Sequence, residues 1–590
     1  MKNILIAIRS IFKKGRHNVM KIVSLGIGLA VGLVLIAKVY FEQSYDDFYP
    51  DRDRVYQVWA KYQQNGGELK EYPQTSGGIA PTMQQQIPEI ETVTRYTSFG
   101  DWTFTMTDTK MKYSGRCIIA DSCFFDILPR PMLIGNAKEV LSTPMYVLIS
   151  SRLAKNIGGD VVGKNFTIDS SPGRTMTIGG VFEEVPENSH SRYDVIVSMA
   201  SAGRFMWEGS PTNMLGNDRY ISYVKLHKGV NPLALEEQVH TFVNSYFPPE
   251  EQQKTGFNIG FSFHELDGLH KELPQVKRMT WILSLLAFAL IFTAVMNYIL
   301  IVISSIVNRS KEVAVHKCYG ASENNIHGMM FGEALVHIVL SLILALLLIL
   351  AFRGTVEELL ATSLDSLLLS NGSLVLLGIC ILVFFVSGFM PGSLYARIPV
   401  ASAFRNYREN KCIWKKALLL VQFVATGFLV TMLVFVARQY TFMVNDRPGY
   451  AYENLAYCGL AGVDSTSRAK ILDEVMRLPG VIAATTVYQL PFEHASGNNI
   501  LLPGETQELF NIADLYWVGN GYLDMMEIPV IQGRSFTENV TNSREVMVDR
   551  RFVEKMKLVA GWTDDVVGKD ICVTEHSRRN EEPFTICGVY

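Results

Sequence analysis

Five long apolar runs without Asp, Glu, Lys or Arg divide the chain. They lie between Lys21 and Lys38, between Arg278 and Arg309, from Ala334 to Phe352, between Asp365 and Arg397, and between Lys416 and Arg438. Crossing a bilayer takes about 20 residues of α-helix, and each run approaches or exceeds that length. A single run of this kind also fits a buried core helix, but five in one chain favour membrane-spanning helices. The pattern predicts a multi-pass membrane protein.

The first run is the shortest and extends through Val39, Tyr40 and Phe41 if Lys38 snorkels to the interface. A cleaved signal peptide would need a small-x-small site after the run, and none follows. We therefore expect an uncleaved anchor. Ahead of it, the basic leader is typical of an amphipathic helix that lies on an anionic membrane surface.

The flanking charges predict the orientation, because cytoplasmic loops are enriched in Lys and Arg. Residues 1–21, 308–327 and 397–416 together hold 15 basic and 3 acidic residues, whereas residues 353–365 hold one basic and three acidic. These charges predict a cytoplasmic N-terminus and large extracytoplasmic domains on a protein of the cell (inner) membrane. The expected order is a cytoplasmic leader at 1–21, membrane segments at 22–41, 279–307, 328–352, 366–396 and 417–437, cytoplasmic segments at 308–327 and 397–416, an external loop at 353–365, and external domains at 42–276 and 438–590.

Both external regions have the pattern of mixed α/β structure. Residues 165–168 and 175–182 alternate as strands do, with Gly and Pro between the runs. Residues 234–243 have helical apolar spacing, and a further helix is predicted over 467–478, ended by Pro479 and Gly480. The expected fold class is a membrane protein with α-helical transmembrane segments and mixed α/β (α+β) extracytoplasmic domains in a duplicated arrangement.

The duplication is visible as an internal repeat. Residues Asp160–Asn165 (DVVGKN) and 176–182 recur as Asp565–Asp570 (DVVGKD) and 584–590. Each external region also follows a membrane segment with a basic leader. The second copy stops at Tyr590, the counterpart of Phe182, so the repeat leads us to expect a C-terminally truncated chain and an incomplete second domain. A natural five-helix form ending after a strand is the alternative.

Composition narrows the function classes. The 590 residues contain 54 Lys+Arg against 57 Asp+Glu, and charged residues make up only 19%. A disordered or nucleic-acid-binding protein would need fewer apolar residues or a strongly basic balance. Eight cysteines in 590 residues are too few for a disulfide scaffold. Cys117 and Cys123 either pair or remain buried thiols.

The sequence contains no convincing catalytic or metal-binding motif. Gly158–Asn165 comes within one residue of a phosphate-binding loop, but Asn165 lacks the magnesium-binding hydroxyl and Lys164 leads into a predicted strand. His-Glu-x-x-His, Cys-x-x-Cys and Gly-x-Ser-x-Gly are absent. Asn297, His337 and Gln422 lie within membrane segments, where interhelical hydrogen bonding is the favoured interpretation over a transport role. We expect neither an enzyme nor a bound cofactor or metal.

Residues 308–322, NRSKEVAVHKCYGAS, resemble the signature of the FtsX/MacB-like ABC transporter permease family, in its long form with two periplasmic core domains. The matching positions are Arg309, Lys311, Glu312, Val313, Lys317, Gly320, Ala321 and Ser322. His316 and Tyr319 depart from the usual pattern. Residues 186–194 resemble the Pro-x-Asn-Ser-His motif of the periplasmic core domain at Pro186, Asn188, Ser189, His190 and Asp194. Residues 48–58 and 414–423 resemble the openings of the core domain and of the second half.

The resemblance implies the permease subunit of an ABC transporter whose cytoplasmic ATPase is a separate chain, as a dimer. In the family, the loop after the second membrane helix docks on the ATPase, and the external domain moves in response, for efflux, lipoprotein release or cell-envelope regulation. Further implied partners are membrane lipids, a second permease unit or the second half of a longer chain, and a periplasmic adaptor; nucleic acid is not one. The alternative is a membrane-anchored extracytoplasmic binding or sensory protein without an ATPase.

Overall fold

The computed structural model describes most of the chain. The residues described are 17–64, 67–169, 173–216, 218–369, 372–396, 400, 413–446, 449–460, 463–491, 498–505, 508–512, 515–536, 544–563, 565–574, 576–577 and 582–590. They divide into two compact units, one from the described parts of Met1–Ile168 and Gly173–Val434, the other from those of Asp169–Pro172 and Phe435–Tyr590. The predicted leader helix and most of the linker 397–416 lie outside the described residues.

Among the described residues, five helices are long and apolar enough to cross a membrane. They are α1 (Asn18–Gln43), α8 (Pro274–Ser304), α10 (Glu323–Ala351), α13 (Ser373–Ala396) and α14 (Ile413–Asn445). Their apolar runs are the five found in the sequence, so each predicted run lies on a helix of membrane-spanning length. The membrane boundaries themselves stay predictions.

Helices α1, α8, α10 and α13 pack around one apolar core in the first unit. Two glycines one turn apart on α1 permit its close contact with α8. A Cβ built on Gly28 would lie 2.3 Å from the Cβ of Ala294, and one on Gly32 would lie 2.4 Å from Cγ1 of Ile291. Small residues therefore set the distance between these two helices.

Shorter helices connect the long ones. Helix α9 (Ile306–Cys318) follows α8, while α11 (Arg353–Leu360) and α12 (Leu364–Leu368) lie between α10 and α13. The fourth apolar run was predicted to form one segment from residue 366, but the structure has α12 and a separate α13 there. Ser363 caps α12 by accepting the N–H of Ser366, which starts a short helix at this point.

The external part of the first unit is an 11-stranded mixed sheet. Its strands are β1 (Val55–Gln64), β2 (Lys70–Tyr72), β3 (Ile90–Met106), β4 (Lys112–Ala120), β5 (Met132–Ile134), β6 (Tyr146–Ser150), β7 (Asn165–Ile168), β8 (Thr175–Phe182), β9 (Val195–Ser198), β10 (Ile221–Leu226) and β11 (Phe257–Glu265). The order is β11-β1-β10-β3-β4-β9-β6-β8-β5, with β2 beside β1 and β7 bridging β3 and β8. The β4–β9 and β6–β8 pairs are parallel and the other pairs antiparallel.

Six short helices cover this sheet. They are α2 (Ile79–Gln86), α3 (Phe124–Ile127), α4 (Ala137–Ser142), α5 (Ser151–Ile157), α6 (Glu236–Tyr246) and α7 (Pro249–Thr255). Three buried apolar clusters lie against the sheet, and one of them contains Tyr49 and Leu266 from the segments that lead to the membrane helices. The sheet is thereby connected to α1 and α8 through its own core.

The second unit contains helices α15 (Ser465–Met476), α16 (Tyr522–Met525) and α17 (Arg550–Val559). Its strands are β12 (Asn498–Leu501), β13 (Phe510–Ile512), β14 (Gln532–Gly533), β15 (Glu545–Val548), β16 (Asp570–Val573) and β17 (Phe584–Val589). Strand β15 pairs in parallel with β17, and β14 and β16 pair antiparallel with it. Strands β6, β5 and β7 pair with β8 in the same senses. The repeat predicted from the sequence is therefore also a repeat of topology.

The predicted fold class is confirmed: five membrane-length helices accompany mixed α/β domains. The predicted strands at 165–168 and 175–182 and the helix before Pro479 are also confirmed. Lys164 leads into β7, as the interpretation against a phosphate loop required. Cys117 and Cys123 are free thiols.

Candidate functional site

Helix α9 carries most of the predicted coupling loop. The sequence predicted that Arg309–Lys317 continues the preceding membrane helix, but the structure ends α8 at Ser304 and begins α9 at Ile306. The carbonyl of Val302 accepts hydrogen bonds from the N–H and hydroxyl of Ser305 and from the hydroxyl of Tyr395. A carbonyl engaged by side chains bends or interrupts a helix, which explains the break.

The Gly-Ala-Ser sequence ends α9 and begins α10. Gly320 has a φ of +84°, its N–H donates to the carbonyl of Lys317, and the N–H of Ala321 donates to that of His316. These two bonds form a Schellman motif, which requires a left-handed residue at this position. The hydroxyl of Ser322 then accepts the N–H of Asn325 and caps α10. The predicted helix end at Gly320 is confirmed.

One face of α9 packs on the bundle and the other is exposed. Val313 and Ala314 are buried in the apolar core, and Nζ of Lys317 donates to the carbonyl of Ala396 at the end of α13, at 2.7 Å. Lys311 is exposed and Glu312 is half-buried, whereas the side chain of Arg309 is not among those that the structure describes. Tyr319, at the end of α9, is 89% exposed. The loop therefore combines an anchored inner face with an aromatic outer tip.

The external motif holds the segment that leaves α1. The side-chain amide of Asn188 donates to the carbonyl oxygen of Ser44 at 2.5 Å, and the N–H of Asp46 donates to the carbonyl of Asn188. The hydroxyl of Ser189 donates to Asp46 at 2.6 Å, and Nδ1 of His190 lies 2.5 Å from the same carboxylate. Three motif residues thus converge on the first residues after the membrane helix.

Asp194 and Pro186 lie apart from that convergence. Asp194 precedes β9, where its carboxylate accepts hydrogen bonds from the Ser150 hydroxyl, an Arg152 guanidinium nitrogen and the N–H of Arg116. Burial opposes its charged form, but the bonds from Arg152 and Arg116 hold the pKa of Asp194 below its usual value. Pro186 is exposed. The motif therefore consists of a contact with the membrane helix and a separate structural ion pair.

Sequence reasoning missed Asp46, which the motif contacts most. Its side chain is buried and its φ is +56°. Asp and Asn enter this left-handed region more readily than other non-glycine residues, so the Asp46–Asp47 pair after an apolar run is a weak turn signal. Its partners lie more than 140 residues away, and no local pattern reveals them.

A polar stripe runs along α10 inside the bundle. Glu333, His337 and Ser341 are spaced by four residues and face α1 and α8. Lys21 pairs with Glu333 at 3.6 Å, the Tyr298 hydroxyl and Nδ1 of His337 are 3.1 Å apart, and Ser341 donates to the carbonyl of Ile22. These contacts confirm interhelical hydrogen bonding for His337. Asn297 instead lies on an exposed face of α8.

The described residues offer no cluster of three or more His, Cys, Asp or Glu side chains suited to a metal ion. The two anchored segments, one at each end of the helical bundle, are the candidate functional sites. One presents an exposed tip beside α10, and the other connects α1 to the external sheet.

Three solved domains are similar to parts of this chain. A domain of a proposed permease protein from Porphyromonas gingivalis is 33% identical over 37% of this chain and 91% of that domain, with a TM-score of 0.34. The periplasmic region of MacB from Actinobacillus actinomycetemcomitans is 14% identical over 35% of this chain and 87% of its own, with a TM-score of 0.25. The extracellular domain of the noncanonic ABC-type transporter YknZ from Gram-positive bacteria is 12% identical over 35% and 98%, with a TM-score of 0.24.

Comparison with curated proteins gave no significant match. Two family models do match: the MacB-like periplasmic core domain at residues 20–242 and the FtsX-like permease C-terminal domain at residues 284–400. The first covers α1 and most of the external sheet, and the second covers α9 and the helices around it. Because the two models match successive parts and together more than half of the chain, the protein belongs to the FtsX/MacB-like permease family.

Proposed function

We propose that this permease is the membrane subunit of an ABC transporter, driven by a separate cytoplasmic ATPase that docks on residues 306–322. The observation that carries the proposal is that, in a permease of this family, this segment is a helix with one face anchored on the bundle and an exposed end. Its inner face is fixed to the bundle by Val313, Ala314 and Lys317, and its outer end presents Tyr319. An anchored helix with an exposed aromatic end can bind a partner and pass a displacement to the helix that follows.

In this proposal, the permease performs no chemistry itself. ATP binding and hydrolysis on the partner move the docked loop, and the helices carry the motion to the external domain. The orientation follows the distribution of basic residues, with the N-terminus and residues 306–322 in the cytoplasm. The work done outside would serve efflux, lipoprotein release or regulation of the cell envelope.

Co-purification with the ATPase tests the docking site. We expect the full-length chain in detergent to retain an ABC ATPase encoded beside its gene. Glu312→Lys, Lys311→Glu and Tyr319→Asp should each weaken ATPase binding about thirtyfold, since interface anchors commonly contribute about 2 kcal/mol. Glu358→Lys makes the same charge change as Glu312→Lys on an exposed residue of α11. This control should bind normally.

Coupling is measured on the same complexes in nanodiscs. The docking variants should insert as the wild type does, while ATP hydrolysis no longer responds to the permease. Unchanged binding and unchanged coupled hydrolysis in all three variants would refute the docking site. If the wild-type chain captures no ATPase, a membrane-anchored binding or sensory protein becomes the better account.

A further inference from the structure

Four segments of the first unit meet where α1 leaves the bundle, and we name this region the exit joint. It comprises residues 38–46, 186–190, 266–273 and 357–368. These are the end of α1, the external motif, the segment before α8, and part of the connection between α10 and α13. The N–H of Ser363 in that connection donates to the carboxylate of Glu187, beside the motif, at 3.0 Å. The joint therefore connects the ends of four membrane helices, α1, α8, α10 and α13, with the external motif.

A buried polar chain forms the membrane side of the exit joint. Nζ of Lys38 lies 2.6 Å from Oε1 of Glu42 and 2.8 Å from Oγ1 of Thr362. The other carboxylate oxygen of Glu42 lies 2.5 Å from Nε2 of His270. Lys38 is only 8% exposed, so it does not snorkel to water as its sequence position had suggested. Buried ion pairs add little net stability, and their best-attested use is to specify one arrangement of the parts that they join.

Aromatic rings continue this chain to the external motif. The ring of Tyr45 stacks on His270 with centroids 3.7 Å apart, and its edge meets the ring of His190 at 5.0 Å. His190 in turn contacts Asp46, the residue on which the motif converges. Contacts thus run without interruption from Thr362 to the external motif. Packed and hydrogen-bonded chains of this kind are the physical means by which two sites can be coupled.

The cytoplasmic end of α1 is also tied to α10. Lys21 pairs with Glu333, and Ser341 donates to the carbonyl of Ile22. Helix α10 is capped by Ser322, which lies in the segment proposed to dock the ATPase. A displacement there reaches the exit joint by two routes, through α10 to its connection with α13 and through α1.

We infer that Lys38 and His270 are positioning residues that make the exit joint transmit motion from the membrane helices to the external domain. This inference rests on the proposed function, because the motion originates at the docked ATPase. Neither residue is needed for the ATPase to bind. Loss of either should disconnect the external domain while the cytoplasmic response persists.

Hydrogen–deuterium exchange on the ATPase complex in nanodiscs tests this inference. In the wild type, ATP with vanadate should change exchange both in residues 306–322 and in the motif at 186–194. In His270→Leu and in Lys38→Met, the change at 306–322 should remain. The change at the motif should fall about fivefold, within the range for single substitutions along a coupling network. His270→Gln keeps a donor toward Glu42 and should restore most of the motif response.

Lys277→Met is the matched control, because it removes an exposed ion pair with Glu272 close to the same helix start. It should leave both responses intact. If both joint variants keep the full motif response, or lose the response at 306–322 as well, the positioning role is overturned. If the wild type shows no response at 306–322, the proposed function itself fails, so the two failures are distinguishable.

Discussion

Asp46 sets the direction in which the chain leaves α1. Its backbone is left-handed at φ +56°, its side chain is 1% exposed, and its carboxylate accepts hydrogen bonds from Ser189 and His190. A buried carboxylate is costly unless its oxygens are hydrogen-bonded, and a left-handed aspartate adds backbone strain. Residues of a single motif stabilise both the buried carboxylate and the left-handed backbone of Asp46. The motif at 186–190 therefore fixes the conformation of the turn at Asp46.

Asp194 allows a prediction for pH dependence. Since its folded-state pKa lies below the unfolded value of about 3.9, its stabilisation is complete above about pH 4 and is lost as pH falls through the folded value. Asp194→Asn should lower the free energy of unfolding by about 2 kcal/mol at pH 6, because Arg152 loses a charged acceptor. Urea unfolding of the full chain, followed by tryptophan fluorescence between pH 6 and pH 3, measures the difference.

The gap between wild type and Asp194→Asn should narrow as the solution is acidified below pH 4. Asp101→Asn, on an exposed side chain of β3, should match the wild type throughout. A gap that stays constant down to pH 3 would show that the carboxylate charge has no part in the stabilisation.

At the scale of elements, the repeat preserves its turns as well as its strands. Gly163 and Gly568 both have positive φ, at +83° and +88°, and each donates its N–H to the partner strand, to Ile178 and Ile586 respectively. The β6–β8 and β15–β17 pairs each have a register irregularity at the second residue of the first strand. The repeated sequence thus folds twice into the same strand–helix–strand–strand unit.

The close packing of α1 on α8 predicts that a larger residue at Gly28 lowers the stability of the protein. Gly28→Leu should force the two helices apart, because even a Cβ at this position would lie 2.3 Å from that of Ala294. We expect a loss of about 2 kcal/mol in stability, typical of overpacking, measured as a lower thermal midpoint in detergent. Gly378→Leu on α13 is the control, since nothing lies within 4 Å of its Cβ position. Equal midpoints for the two variants would contradict close packing at Gly28.

Local patterns explain which elements the sequence predicted. The end of α9 followed from Gly320, because a Schellman motif needs a left-handed residue and the signal lies within a few positions. The break at Ser305 did not, because it depends on Tyr395, 90 residues away. The burial of Lys38 did not follow from the sequence either, since its acceptor Thr362 lies 324 positions further on. Element types follow from periodicity, whereas the joints between elements depend on distant partners.

The whole molecule carries its charge unevenly, although the net value is only −3. The three predicted cytoplasmic segments contain 15 basic and 3 acidic residues, which leaves 39 basic and 54 acidic residues for the rest. Such a division is expected when positive charges are retained on the cytoplasmic side. The near-neutral total is then a cancellation between the two sides of the membrane.

Two native cysteines test this orientation without any added label site. Cys318, at the end of α9, and Cys458, in the second unit, are both exposed, and the predicted topology puts them on opposite sides of the membrane. In spheroplasts, a membrane-impermeant maleimide should label Cys458 and spare Cys318, and permeabilisation should raise labelling of Cys318 at least tenfold because the bilayer then no longer excludes the charged reagent. Cys318→Ser and Cys458→Ser assign the signals. Labelling of Cys318 in sealed spheroplasts would place the docking segment outside and remove the basis for a cytoplasmic ATPase partner.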